Sequence, residues 1–170
     1  QEKGLGVLEV LLAAGMLVFV IMPVFAAVME RCILFSKAQM IKDAVDITNA
    51  AAYNSITVQA LSREEVSFDT LEASKIYSRL LSENLSLNPD FTPKASSPAE
   101  GRVEVRELVF YSSGFPQSCP CGVKIERPAV HSCVMVPVKP LFYRGIILRA
   151  MGKQFVELII HVDSEIPVNN

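Results

Sequence analysis

From Val10 to Met29 the chain reads VLLAAGMLVFVIMPVFAAVM, without one charged side chain between the carboxylates of Glu9 and Glu30. About 20 apolar residues wound as a helix reach roughly 30 Å, the thickness of a bilayer core. A chain of 170 residues cannot surround such a segment at its own end, so the run must meet lipid or other apolar helices. Pro23 lies inside it, where a missing backbone donor bends or locally rearranges a helix. Glu9 stands at its edge, where a carboxylate is costly unless a positive group meets it.

The helical pattern starts at Leu5 and continues past the apolar run without a stop signal until Ser62. After Met29 the apolar positions become periodic. Leu34, Ile41, Val45, Ala52 and Ile56 form one stripe. Ile33, Met40, Ala44, Ile47, Ala51 and Val58 form a second beside it, with Lys37, Lys42, Asp43, Asp46 and Asn49 between and opposite. A helix over 5–61 would be roughly 85 Å long, apolar on all sides at first and amphipathic later. One domain covers one face of its second half and none of the first.

The remaining segments predict a single α+β domain over 62–170, a small antiparallel sheet packed on the long helix. Ser62 to Phe68 reads as a turn, and Asp69 caps a second helix from Thr70 to about Leu87, with Leu71, Ile76, Leu80 and Leu81 facing inward. Asn88 to Gly101 holds three prolines and reads as an exposed loop. Val103 to Tyr111 is a strand, and Val123 to Arg127 pairs with His131 to Val138 as a hairpin around Pro128-Ala129. Leu141 to Met151 fits a short helix or a packed loop, and Phe155 to Asp163 a closing strand.

Charge and motifs narrow the function. Lys+Arg 16 against Asp+Glu 18 leaves no basic stripe, so nucleic acid is not an expected partner. No GxSxG, HExxH, Walker or glycine-rich phosphate loop occurs, and no CxxCH for covalent haem, so neither catalysis nor a cofactor is expected. His131 and His161 fall inside predicted strands and read as structural; aromatic content of 8% without tryptophan gives no basis for electron conduction. Only Lys3 is basic before the apolar run, while Arg31, Lys37 and Lys42 follow it, the reverse of a positive-inside anchor. Positive charges upstream of Gln1, lost on processing, would reconcile the two, as in an exported protein.

The four cysteines leave three arrangements open. Cys119, Cys121 and Cys133 cluster far from the apolar run, as suits an oxidised ectodomain. A disulfide from Cys133 to Cys119 or Cys121 would close a loop of about a dozen residues and stabilise by roughly 2–4 kcal/mol; the expected hairpin register favours Cys119. Cys119, Cys121, His131 and Cys133 could instead hold zinc, although their spacings are short for paired ligands. Free thiols are the third arrangement. Cys32 is either a buried small hydrophobe or the partner of the leftover cysteine.

At Lys3-Gly4-Leu5-Gly6-Val7-Leu8-Glu9 the N-terminus resembles the type IV pilin superfamily: a basic residue, a glycine, four mostly apolar residues and a glutamate before a long apolar helix. The rest looks most like the Tad branch, the TadE-like pilins and pseudopilins, where the helix runs into an Ala-rich segment (here Ala50-Ala51-Ala52) and a small domain ends on a terminal strand. The resemblance implies a homopolymer: a subunit that waits in the inner membrane and is packed by pilus machinery into an extracellular filament. It implies cleavage by a prepilin peptidase after Gly4, with Glu9 as fifth residue of the mature chain, whereas Gln1 to Gly4 stand in this one. Assembly would then rest on Glu9, Lys3, Gly4 and Leu5, on the small residues Ala13, Ala14 and Gly15, and on Pro23. The alternatives are a minor pilin or pseudopilin of a pilus or secretion machine, and a single-pass anchored ectodomain that binds a partner.

Overall fold

The computed structural model describes residues 6–56 and 66–166. One helix, α1, runs from Val7 to Ser55, about 74 Å at 1.5 Å per residue. It is α-helical over Val7–Met16 and Met22–Ala51, with a π turn at Leu17–Ile21 between them and a 3-10 turn over Ala52–Ser55 at its end. The π turn answers Pro23. A proline four residues on withdraws one amide and crowds the carbonyl of the preceding turn, and a wider turn absorbs both without breaking the helix. Ile56 is extended, at φ −67° and ψ 127°, so α1 stops short of the expected Leu61; 57–61 lies outside the described residues.

Helix α2 spans Thr70–Asn84 and starts where expected, because the Asp69 carboxylate accepts from the amides of Leu71 at 3.1 Å and Glu72 at 3.0 Å. Its buried face is Ala73, Tyr77 and Leu81, while Leu71 is exposed, so the expected apolar face is rotated toward Tyr77. The Tyr77 hydroxyl is buried without a hydrogen-bond partner among the described residues. Ser132 lies near it but donates to Asn49. Burial pushes the Tyr77 phenol up to about 12.

Three long strands form an antiparallel sheet in the order β1-β4-β5, with β1 Glu104–Tyr111, β4 Ala129–Val138 and β5 Val156–Glu165. A separate two-residue ladder pairs β2 Gln117–Ser118 with β3 Lys124–Ile125. The expected hairpin of Val123 to Arg127 on His131 to Val138 therefore does not form. The 112–128 segment folds on itself as a flap, and β4 takes β1 and β5 as its two neighbours. Being central, β4 is buried on both faces along nearly its whole length. Helix α3, Arg144–Met151, crosses from β4 to β5 and ends at Gly152, whose φ of 62° is left-handed.

The core lies between the helices and one sheet face. Ile41 and Val45 of α1 and Tyr77 and Leu81 of α2 meet Val134, Val136 and Val138 of β4 and Ile160 and Val162 of β5. The α1 stripe beginning at Leu34 is thus the inward one. Met40 and Ile47 of the second stripe face outward. The opposite sheet face carries the odd-numbered residues of β4 and β5. A bulge between Val105 and Glu107 breaks the alternation of β1: Val105 pairs with Val134, yet Glu107 pairs with Cys133 and Leu108 with Ser132. One extra residue, Arg106, thereby moves Glu107 to the outer face and Leu108 to the core.

Asn49 docks α1 on the sheet. It is fully buried, although its polarity and spacing suggested a position away from the core. Its Nδ2 donates to the carbonyls of Val130 and Val162 at 3.3 Å each and to Ser164 Oγ at 3.1 Å. Its Oδ1 accepts from Ser132 Oγ at 2.8 Å.

Candidate functional site

The first surface with functional character is the uncovered half of α1. The helix is long and apolar enough to cross a membrane, with a mean hydropathy of 2.6 in its most apolar window and none of that window buried. Phe19 is 80% exposed, and Val7, Leu8, Leu12, Met16 and Phe25 are exposed with it. Ala13 and Ala14 are exposed and Gly15 is half-buried, with open space around its Cα. Lys3, Gly4 and Leu5 lie outside the described residues. Glu9 is exposed, and its Oε2 accepts from the amide of Gly6 at 3.1 Å. A carboxylate at the third helical position satisfies an orphan amide and opposes the helix dipole. The contact expected for Glu9 was a cation; within the described chain its partner is its own helix start.

A second carboxylate, which marked the end of the apolar run in sequence, has a larger part. Glu30 is 4% exposed. Its Oε2 accepts from the amides of Leu141 at 2.9 Å, Phe142 at 2.6 Å and Tyr143 at 3.4 Å, and its Oε1 from Leu141 at 3.0 Å. These amides lead into α3, so a buried anion sits at the positive end of that helix. The Tyr143 hydroxyl donates to the Pro23 carbonyl at 2.6 Å. Both contacts tie the β4–β5 crossover to α1 where the apolar run ends. Hydrogen bonds to a charged acceptor contribute about 1.5–3 kcal/mol each. Glu30→Ala is therefore expected to free this crossover: amide exchange at 141–151 should speed by at least tenfold, while the β4 amides stay protected.

The third feature lies on the outer sheet face, under the flap. Pairing of β4 with β5 sets His131 opposite Asp163 and Cys133 opposite His161, and the flap delivers Cys119. One ligand atom each from Cys119, His131, His161 and Asp163 lies within 4.8 Å of the others. His131 Nδ1 is 2.6 Å from Asp163 Oδ1 and 3.3 Å from His161 Nε2. His161 Nε2 is 2.8 Å from Asp163 Oδ2 and 3.6 Å from Cys119 Sγ. On the far side of the buried His131 ring, Nε2 is 3.2 Å from Glu107 Oε2, and Cys121 stands beside that pair.

All four cysteines are free: neither the expected Cys119–Cys133 bridge nor one through Cys121 or Cys32 is seen. Cys119 turns to His161 instead. Cys133 is buried, and burial together with the nearby Glu107 carboxylate pushes its thiol up, against a smaller pull from Arg106. Cys32, expected to be buried or paired, is exposed.

These features define an α+β protein with, among the described residues, one membrane-length apolar helix and a domain clasped to it where the apolar run ends. No family model, curated protein or solved structure matches the chain.

Proposed function

We infer that this chain is a structural subunit of an extracellular filament of the type IV or Tad-like kind, polymerising through the first half of α1. The observation that carries this reading is the asymmetry of α1. One face of its second half is covered by α2 and the sheet, while the membrane-length first half has no covering among the described residues. Outside the membrane, bundling keeps the apolar surface of such helices out of water at about 25 cal/mol per Å², and the subunit's domain then forms the filament surface. Before assembly the same helix rests in the inner membrane, to be cut by a prepilin peptidase and extracted by pilus machinery. In the bundle Glu9 meets a positive group of the next copy, its N-terminal amine or Lys3, which sets the axial step between copies. Gly15 and the π turn before Pro23 allow the helix to adjust as it leaves lipid. The protein has no catalytic role in this reading.

The capped state of Glu9 favours a second reading, because a carboxylate that already has a partner needs no neighbouring cation. The chain would then be a single-pass anchored ectodomain or a minor component of a pilus or secretion machine. Shearing intact cells separates the two. A filament subunit is abundant in the sheared, pelleted material, whereas an anchored domain stays with the membranes.

A further inference from the structure

We propose that Cys119, His131, His161 and Asp163 form a zinc site that fastens the 112–128 flap to the outer face of the sheet. The donor set suits zinc. Thiolate and imidazole are the protein ligands zinc takes most readily, and four donors complete a closed structural site. Geometry agrees. Zinc held at about 2.0–2.1 Å from nitrogen and about 2.3 Å from sulfur has tetrahedral edges of about 3.3 Å between nitrogens and about 3.6 Å from nitrogen to sulfur. His131 Nδ1 to His161 Nε2 is 3.3 Å, and Cys119 Sγ to His161 Nε2 is 3.6 Å. Asp163 stands closer, at 2.6 Å and 2.8 Å from the two ring nitrogens. Those are hydrogen-bond lengths, and ligation replaces the shared protons by the cation.

The surroundings are those of a metal ligand shell. His131 is gripped at both nitrogens, by Asp163 on Nδ1 and by Glu107 on Nε2. Both ring nitrogens of the buried His131 thus face carboxylate oxygens, Asp163 at 2.6 Å and Glu107 at 3.2 Å, a setting in which a cation between His131 and Asp163 is well placed. A carboxylate on the outer nitrogen is the usual way of orienting a metal-bound imidazole. The amide of Val123 donates to Cys119 Sγ at 3.3 Å, and Gly122, at φ 82°, folds its amide back on the Cys119 carbonyl at 2.8 Å. This tight Cys-Pro-Cys-Gly turn holds the sulfur against a backbone donor and so fixes its position over the sheet. The bulge at Arg106 belongs to the same construction, since it carries Glu107 to this face.

The flap has little else to hold it. Its buried cluster is Tyr111, Cys119, Ile125 and Ala129, with Val109 and Phe115 at the margin, and its ladder has two residues per strand. Metal binding energy is folding energy in such a segment.

The test uses the full chain purified in detergent under reducing conditions, stripped with a chelator, then dialysed against zinc or cobalt. About one zinc per chain should remain after washing. Cobalt should give the intense visible bands of a tetrahedral site and a near-ultraviolet thiolate band. Cys119→Ser should abolish the thiolate band and Cys133→Ser should retain it, and zinc should slow amide exchange across 112–128 by at least tenfold. The wild-type cobalt spectrum decides the matter even if a variant fails to fold. The proposal is overturned by metal below stoichiometry after washing, by an octahedral cobalt spectrum, or by a non-reducing peptide map in which Cys119 of the native protein is disulfide-bonded.

Discussion

Replacing Glu9 by glutamine is expected to leave the protein folded and membrane-bound but absent from sheared filaments. Glutamine at the third helical position still accepts from the Gly6 amide, so the helix start seen at 3.1 Å persists. Only the charge is lost. In the filament proposed above that charge would face a cation on the next copy, and removing one member of a buried ion pair costs about 3–5 kcal/mol. At about 1.4 kcal/mol per tenfold, each subunit contact weakens by about two to four orders of magnitude. Immunoblots of sheared and membrane fractions measure the outcome. Glu9→Ala removes cap and charge together, so the comparison separates a weakened helix start from a lost intersubunit contact. Filaments of Glu9→Gln in wild-type quantity would return Glu9 to the role of a cap.

Asn49→Leu should be the most damaging single change within the domain. Leucine repeats the branching of asparagine with methyl groups somewhat larger than the amide atoms, so the outline of the side chain is kept while the polar junction is lost. Ser132 Oγ loses its acceptor, and Ser164 Oγ and the carbonyls of Val130 and Val162 lose a shared donor. The carbonyls can rely on their sheet partners, and Ser164 still donates to Asp46. The main cost is the stranded Ser132 hydroxyl plus the lost amide bonds, about 3 kcal/mol in all. For a domain of this size that lowers Tm by about 10 °C, measurable by circular dichroism in detergent. Adding Ser132→Ala to Asn49→Leu should recover part of the loss, because it removes the stranded hydroxyl. A single variant as stable as wild type would mean that Asn49 does not dock the helix.

How far the residues foretold this structure depends on whether their signals were local. The apolar run to Met29, the Asp69 cap and the strand ending the domain each rest on neighbours within one element, and each stands in the fold. The end of α1 was harder. Ile56 continues the inward stripe, yet it turns into extended backbone, where it bridges Phe68. Pairings between distant segments were not legible. His131 and Cys133 are two residues apart, which places both on one strand face but a full pleat repeat from each other. What lies beside His131 is its cross-strand neighbour Asp163 with the diagonal His161, from a strand 30 residues on. A metal-ligand search limited to short spacings therefore selects Cys121 and Cys133 and omits the two β5 residues. The bulge at Arg106 had no signal of its own beyond the imperfect alternation of Val103 to Tyr111. Glu30 looked like the boundary of an apolar run, because the amides it binds come from 111 residues later.

The first half of α1 is proposed above as an assembly surface. Imaging sheared material at a resolution that traces helices tests it most directly. The account predicts filaments in which Val7 to Met29 of many copies form one packed core, with Glu9 against a positive group of a neighbouring copy and the sheet domain outside. A chain found instead only in membrane vesicles, its apolar helix alone in lipid, would contradict it.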